Sequence, residues 1–487
     1  MSSQVAPAIA LFRARHRASG PSMLVCMSWF LVATAAVQFQ LGLIVYLAAL
    51  GWSSFRALRR PVEGLWLLFV AFAVAVMSVS LDYTGEFGGD APKAYLYWGL
   101  SISCVGSAMC LGSLLKPRRF HGERRSIVLG WPFLMFLGVV LLVVGYGYVQ
   151  GNGVGIIVRQ GSGLVFLFLF IFLGYRVRPS SRELSVSFQN IETVLVAYAG
   201  VYLVQEVYVN LALRFDLPDG DFFRQRSPIL FFCGMFAALE LGRALFRAMS
   251  SLRPGNWLRV SLLSAAAILS GSRSIVASML LTMLLLAVLR YARHPLRIAL
   301  LLAGLALGLT SFNYQGLLSQ AETQSPLLQH IADRYLVSPD QDPSFLERSS
   351  QMNAVWDGLK SEPLIGKGIG ASLLWFNPYT REYEETAFVD SGVGYLLLKM
   401  GLLGLCTFLL FLLSLLRQSW LYWKSTHHEI FLLLLGMLIY YSAYLPFGPS
   451  FFQFLTSFWV GIVIGCLYLQ GSLLPKTSKL TTVPAVS

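Results

Sequence analysis

From Ser126 to Val158 the chain carries no charged side chain, and from Gln160 to Tyr175 it again carries none. Apolar runs of this kind recur along most of the sequence, many of them near the ~20 residues a helix needs to cross a bilayer. Lipid offers no water to satisfy backbone N–H and C=O groups, so a chain threaded through it has only helices or a closed barrel available. Continuous apolar runs without period-two alternation specify the helix. Composition matters at one point: 13% of residues are charged, against about 25% in an average soluble domain. The expectation is an all-α fold, a polytopic membrane helix bundle of about 14 crossings within a range of roughly 12–14.

Apolar runs set against basic loops predict spans at roughly 22–36, 37–51, 64–81, 95–115, 126–148, 156–175, 191–212, 229–248, 256–270, 275–291, 296–313, 388–418, 429–446 and 451–470. The first two form a short hairpin bent at Gln38 and Gln40. Alternate loops then carry the basic clusters: Arg56/Arg59/Arg60, Lys116/Arg118/Arg119/Arg124/Arg125, Arg176/Arg178/Arg182, Arg247/Arg253/Arg259, Arg290/Arg293/Arg297 and Arg417/Lys424. The excess of Lys and Arg marks those loops, and both termini, as cytoplasmic. The net charge of +13 is thus an orientation signal, and a nucleic-acid partner is not expected. The apolar stretch after Arg13, Arg15 and Arg17 is too long for a cleavable signal peptide. All six cysteines lie in apolar segments, which predicts packing thiols rather than a disulfide framework or a metal site.

One extracytoplasmic segment, 314–387, is far longer than the rest. It divides the chain into an N-terminal bundle (1–313), the loop, and C-terminal membrane helices with a tail (388–487). Connections this long carry function or are disordered. This one has helix signals. Ser325-Pro326 is one start, with Leu328, Ile331 and Tyr335 on one face. Ser344 and Glu347 form a capping box. The helix after it puts Met352, Val355/Trp356 and Leu359 on an apolar stripe and should stop before Pro363.

Directly after the loop stands Asp390-Ser391, then nine residues, then Gly401-Leu402-Leu403-Gly404. Ionisable groups at a membrane helix mouth are costly to keep there, so each is a functional candidate. The extracytoplasmic basic residues are mostly arginines, whose planar forks match phosphate oxygens in bidentate fashion. Arg273 sits in the turn Ser270-Gly271-Ser272-Arg273-Ser274, and Arg348 precedes Trp356 and Pro363-Leu364-Ile365-Gly366-Lys367-Gly368. Arg159, Arg334 and Arg381 complete the set considered for substrate binding with Trp356. Each residue also has a structural reading. Asp390 and Ser391 suit a helix cap. Arg273 suits an interfacial anchor. Arg348 could pair with Glu347 or Gln351. Glu240 and Arg243, one turn apart, suit a mutual pair. Lys399 suits an interior structural pair. Trp375, Phe376, Tyr379 and Tyr383 could stack on sugars or anchor at the interface.

In this order, the Ser-Arg-Ser turn, the long loop with Arg, aromatic and Pro-Leu-Ile-Gly-Lys-Gly elements, and the helix with Gly-Leu-Leu-Gly resemble the O-antigen ligase/polymerase superfamily over roughly residues 265–405. The resemblance implies metal-independent glycosyl transfer on the outer face of the bacterial inner membrane, without a cofactor. The donor would be an oligosaccharide on undecaprenyl diphosphate. A chain-length regulator and a flippase are partners implied only by the resemblance. Arg273 and Arg348 match family arginines and would stabilise the leaving diphosphate. The family's ligases carry His where this chain has Asp390. His330 is the one histidine placed on the same side, in another part of the loop, so either Asp390 would orient or deprotonate the acceptor or the chemistry would rely on positioning without a base. This departure favours a polysaccharide polymerase over a ligase. A lipid-linked oligosaccharide transporter is the remaining alternative, disfavoured because neither a repeat nor paired interrupted helices are present.

Overall fold

Proline and glycine punctuate the helices where the apolar runs are interrupted. The computed structural model describes residues 23–38, 41–79, 91–115, 130–177, 179, 181–212, 228–246, 254–270, 272–291, 343–378, 380–426, 429–448, 451–452 and 454–471. Among these, two compact units separate. The first comprises residues 1–112 and 180–204, the second residues 113–179 and 205–487.

The first unit contains α1 (Met23–Gln38), α2 (Gly42–Arg59), α3 (Gly64–Val79), and most of α4 (Ala91–Leu115). Pro61 opens a short 3-10 turn between α2 and α3 and prevents α2 from continuing. Close packing here relies on missing side chains: a Cβ on Gly64 would strike Met109, and one on Gly112 would strike the Leu58 carbonyl. The Tyr46 hydroxyl ties α2 to α4 by donating to the Tyr97 carbonyl at 2.7 Å.

In chain order there follow α5 (Trp131–Val149), α6 (Val154–Val177), α7 (Ser181–Ala212), α8 (Pro228–Phe246), α9 (Pro254–Leu269), α10 (Arg273–Tyr291), α11 (Pro343–Ser361), the strands β1 (Leu373–Asn377) and β2 (Glu382–Thr386), α12 (Gly392–Thr426), α13 (Glu429–Tyr444) and α14 (Phe454–Gly471). Proline stands first in α8, α9 and α11, where its missing N–H has no helical partner to lose. All of these elements except most of α7 belong to the second unit. Helices α6 and α14 form the most extensive pairing in the second unit. Their backbones touch because Gly174 and Gly461 leave no room for a Cβ, and Gly163 does the same against Phe452 just before α14, the small-residue mode of membrane helix packing. A second group joins α8, α9, α10 and α13.

Among the described residues, Trp131–Val149, Val154–Gly174, Arg273–Tyr291 and Gly392–Ser425 are long and apolar enough to cross a membrane by themselves, and five further apolar helices are shorter. The chain is a multi-pass membrane protein. Apart from α11, its helices overlap the predicted spans, with three lengthened: α2 runs on to Arg59, α7 begins at Ser181, and α12 runs on to Thr426. The predicted span 296–313, the helix start at Ser325-Pro326, and Arg334 lie outside the described residues. Helix α11 ends at Ser361, before Pro363 as its sequence predicts, but starts at Pro343. Ser344 therefore lies in the first turn rather than capping it. The loop is also not purely helical, since it contains an antiparallel β-hairpin that pairs Leu373 with Thr386 and Asn377 with Glu382.

Candidate functional site

Helix α12 is broken inside a membrane-spanning run. Gly401 adopts φ 61° and ψ −163°, a conformation essentially confined to glycine. A break at this depth leaves peptide groups with no helical partner, and lipid would supply none. The Pro363–Lys367 segment supplies them. Leu402 N–H donates to the Pro363 carbonyl (2.9 Å), Leu403 N–H to Leu364 (3.0 Å), and Lys367 N–H to the Leu398 carbonyl (2.8 Å). A Cβ on Gly401 would lie 2.4 Å from the Leu364 oxygen, and one on Gly366 would lie 2.7 Å from both Gly401 N and the Leu398 oxygen. The two glycine-bearing motifs are therefore halves of one backbone-to-backbone contact.

The segment then passes α5 and α6. Gly368 lies against the backbone of Gly147, and Asn152 Nδ2 donates to the Ile369 carbonyl at 3.1 Å. Gln160, buried in the second turn of α6, accepts from Gly370 N–H at 2.9 Å and donates to the Ala387 carbonyl at 3.0 Å. One side chain thus holds both ends of the hairpin. Tyr395 in α12 donates to the Gln160 carbonyl at 3.0 Å.

The hairpin alternates as its period requires. Leu373 and Trp375 turn inward to a cluster with Val355, Leu359, Val389, Leu397 and Leu398, while Leu374 and Phe376 are exposed. Its four-residue turn places Arg381 at φ 56° with its N–H donated to the Asn377 carbonyl. Glu384 steadies that turn by accepting from Asn377 and Thr380.

Past the hairpin, Ser391 caps α12 by accepting from Gly394 N–H at 3.2 Å. Gly392 N–H donates to the Leu445 carbonyl at 2.9 Å. Asp390 does not share the capping. Its own N–H donates to Gln351 Oε1 at 3.1 Å, and its carboxylate is exposed, with no hydrogen bond or ion pair among the described residues. Gln351 is buried in α11. Arg348 lies one turn earlier on the same helix, half-buried, with its Nε enclosed and lacking a hydrogen-bond partner among the described residues. Arg159 lies over the Phe388 ring, 5.0 Å from guanidinium carbon to ring centroid.

Arg159 is thus held at Phe388, and Asp390 is held by Gln351, one turn along α11 from Arg348. Arg273 opens α10 beside Ser272 and Ser274, whose hydroxyls are bonded at 3.0 Å. That helix packs on α8 and α13, with Ile275 and Tyr440 both seated on Gly234. Arg381 stands at the hairpin tip, on the order of 15 Å of strand from Ala387. Trp356 is 49% exposed, whereas the buried positions of α11 are Gln351, Val355 and Leu359. The apolar stripe therefore runs through Val355 and excludes Trp356.

Two structural readings are settled by contacts. Arg243 pairs with Glu240 one turn away and also with Glu429 at 3.1 Å. Lys399 is fully buried, and its ammonium donates to the Ala371 carbonyl rather than to an acid. Gln160 was not singled out by sequence reasoning, and Gln351 entered it only as a partner for Arg348. Their only signal is a lone amide in an apolar run (Gln160) or on a helix stripe (Gln351).

Residues 258–409 match the family model described as O-antigen ligase. The match begins in α9, takes in the Ser-Arg-Ser turn, α11, the hairpin, Asp390 and the helix break, and ends in α12. This places the segment in the O-antigen ligase/polymerase superfamily. Arg159 and Gln160 lie outside the matched stretch. No curated protein matches the chain.

Proposed function

We propose that this chain, with its O-antigen ligase domain at residues 258–409, is a polysaccharide polymerase on the outer face of the bacterial inner membrane. It moves a growing glycan from undecaprenyl diphosphate to a lipid-linked repeat unit. The observation that supports this is the placement of Arg159 on Phe388 and of Arg348 one turn from the Gln351 that holds Asp390, whose carboxylate has no partner among the described residues, at the capped mouth of a broken membrane helix. The acceptor hydroxyl gives its proton to Asp390 and its oxygen bonds to the anomeric carbon. The bond from that carbon to the diphosphate oxygen breaks, and the electron pair leaves with the lipid diphosphate. Arg348 and Arg159 stabilise the charge developing there, and pre-positioned donors in a water-poor site are worth roughly 10²–10³ in rate apiece. Arg273 serves the same anion from the start of α10, and Arg334, Arg381 and Trp356 contact the glycan. The basic loops orient both termini to the cytoplasm.

Complementation of a null strain with Asp390→Asn, Arg273→Ala and Arg348→Ala, at checked membrane levels, tests the reading. Loss of long polymer with single repeat units still reaching the surface is expected. Loss of all surface glycan would instead mark a ligase that passes the glycan to another acceptor, and wild-type polymer from all three would refute the site.

A further inference from the structure

We infer that Gln160 is a positioning residue for the transfer, the clamp that sets Asp390 and Phe388 against Arg159. The inference rests on the glycosyl-transfer reading above. Its primary amide accepts from Gly370 N–H and donates to the Ala387 carbonyl at the same time, two roles that an ionised carboxylate or a hydrocarbon cannot combine. Gly370 enters the hairpin and Ala387 leaves it, so one side chain closes the base of the loop onto α6. The same residue's carbonyl accepts from Tyr395, five residues beyond Asp390. The segment that bears Asp390 is thereby fixed to one turn of α6 from both sides.

The surroundings explain why the clamp is needed. Gln160 is 5% exposed, and loss of its two side-chain bonds would leave the buried Gly370 N–H and the half-buried Ala387 carbonyl without this partner. The neighbouring residue in sequence, Arg159, meets Phe388, the residue after Ala387. Release of Ala387 would let Phe388 and Asp390 drift from the arginine while leaving every reacting group in the chain. Displacements near 1 Å cost roughly 10²-fold in rate.

The test uses the full-length chain in proteoliposomes with a lipid-diphosphate-linked oligosaccharide as donor and acceptor. Gln160→Glu keeps the shape and the acceptor but not the donor, Gln160→Leu removes both bonds, and Tyr395→Phe removes the third without touching Gln160. Expected are a kcat lower by roughly 10–100-fold in Gln160→Leu, a smaller loss in the other two, and KM for the donor within about threefold. Amide exchange over residues 370–391 should accelerate in the same order. A kcat equal to wild type in Gln160→Leu, or unchanged exchange at Gly370, would overturn the clamp while the transfer reading stands. A donor KM that rises with kcat unchanged would reassign Gln160 to substrate contact. A wild-type chain that transfers no glycan would overturn the transfer reading itself, and the role with it. If Gln160→Leu does not accumulate, Gln160→Glu and Tyr395→Phe decide by the same two readouts.

Discussion

Substituting Gly401 by alanine perturbs the helix break at one atom. Two costs can be worked from the geometry. The backbone conformation, φ 61° with ψ −163°, is one that L side chains avoid, at about 1–3 kcal/mol. The new Cβ would stand 2.4 Å from the Leu364 oxygen, 2.5 Å from its carbonyl carbon and 2.6 Å from Gly366 N. All three are backbone atoms already held in hydrogen-bonded groups, the Leu364 carbonyl by Leu403 N–H and Gly366 N–H by the Glu362 carbonyl, so they have little room to yield, and overpacking of this kind adds about 1–3 kcal/mol. The sum, about 2–6 kcal/mol, is a large share of the roughly 5–15 kcal/mol by which folded proteins are stable. Gly366→Ala opens the same gap from the other side, because its Cβ meets Gly401 N and the Leu398 oxygen. The double substitution should then cost less than the sum of the singles, as changes sharing one displaced contact are not additive. Gly145→Ala is the control: its Cβ meets nothing within 4 Å, and alanine favours a helix interior over glycine by about 0.5–1 kcal/mol. Thermal melting of the purified protein in detergent, followed by tryptophan fluorescence, reads all four. A Gly401→Ala protein that melts with the wild type would refute the bonded-break geometry, as would full additivity of the pair.

Three other outcomes follow from the contacts. Ser391→Ala should lower stability by about 1 kcal/mol through loss of the cap while polymer still forms, whereas Asp390→Asn should leave melting unchanged and abolish polymer; a matching pair of phenotypes would return Asp390 to a structural role. Lys399→Met fills nearly the same volume and gives up one hydrogen bond, about 1 kcal/mol, so it should accumulate normally, and Lys399→Ala should be worse by a further few kcal/mol of cavity; equal melting of the two would show that the Lys399 stem does not pack. Trp375→Ala should cost about 3–5 kcal/mol as a buried ring, while Trp356→Ala should melt like wild type and raise KM for the glycan; the reverse pattern in melting would contradict the packing of the hairpin on α11.

Membrane class, most helix positions and the end of α11 before Pro363 were legible because lipid forces period and length into local sequence. The Glu240–Arg243 pair was legible for the same reason, being one turn apart on one helix. The break at Gly401 was not. A helix-shaped run from Gly392 to Thr426 gives no local sign that Pro363 and Leu364 will take over its free N–H groups. The hairpin was missed because Leu373–Thr386 is short and carries three glutamates, and its inward face becomes apolar only against α11. The site was legible in its residue types and order but not in its grouping. Arg159 enters through α6, far from the motif region in sequence, and Arg381, though inside that region, is carried away to the hairpin tip.

The grouping follows from a register that two contacts impose together. Gln351 meets the Asp390 N–H, and the Pro363 carbonyl meets the Leu402 N–H. Both chains advance by twelve residues between these contacts, from 351 to 363 and from 390 to 402, so α11 and the first part of α12 run parallel and in step. Between the two pins Val355, Leu359, Leu397 and Leu398 pack together. Such a strut fixes what lies just past its end. Arg348 precedes Gln351 by three residues, about 4.5 Å of helix rise, on the side of Gln351 away from the break. Shifting the lower pin by one residue would move Arg348 along α12 by about 1.5 Å, more than the displacement that costs roughly 10²-fold in a positioned reaction. Under the proposed transfer, the glycines at the break therefore bear on the reaction from the far end of the strut, because the backbone contact they permit sets the register that positions Arg348.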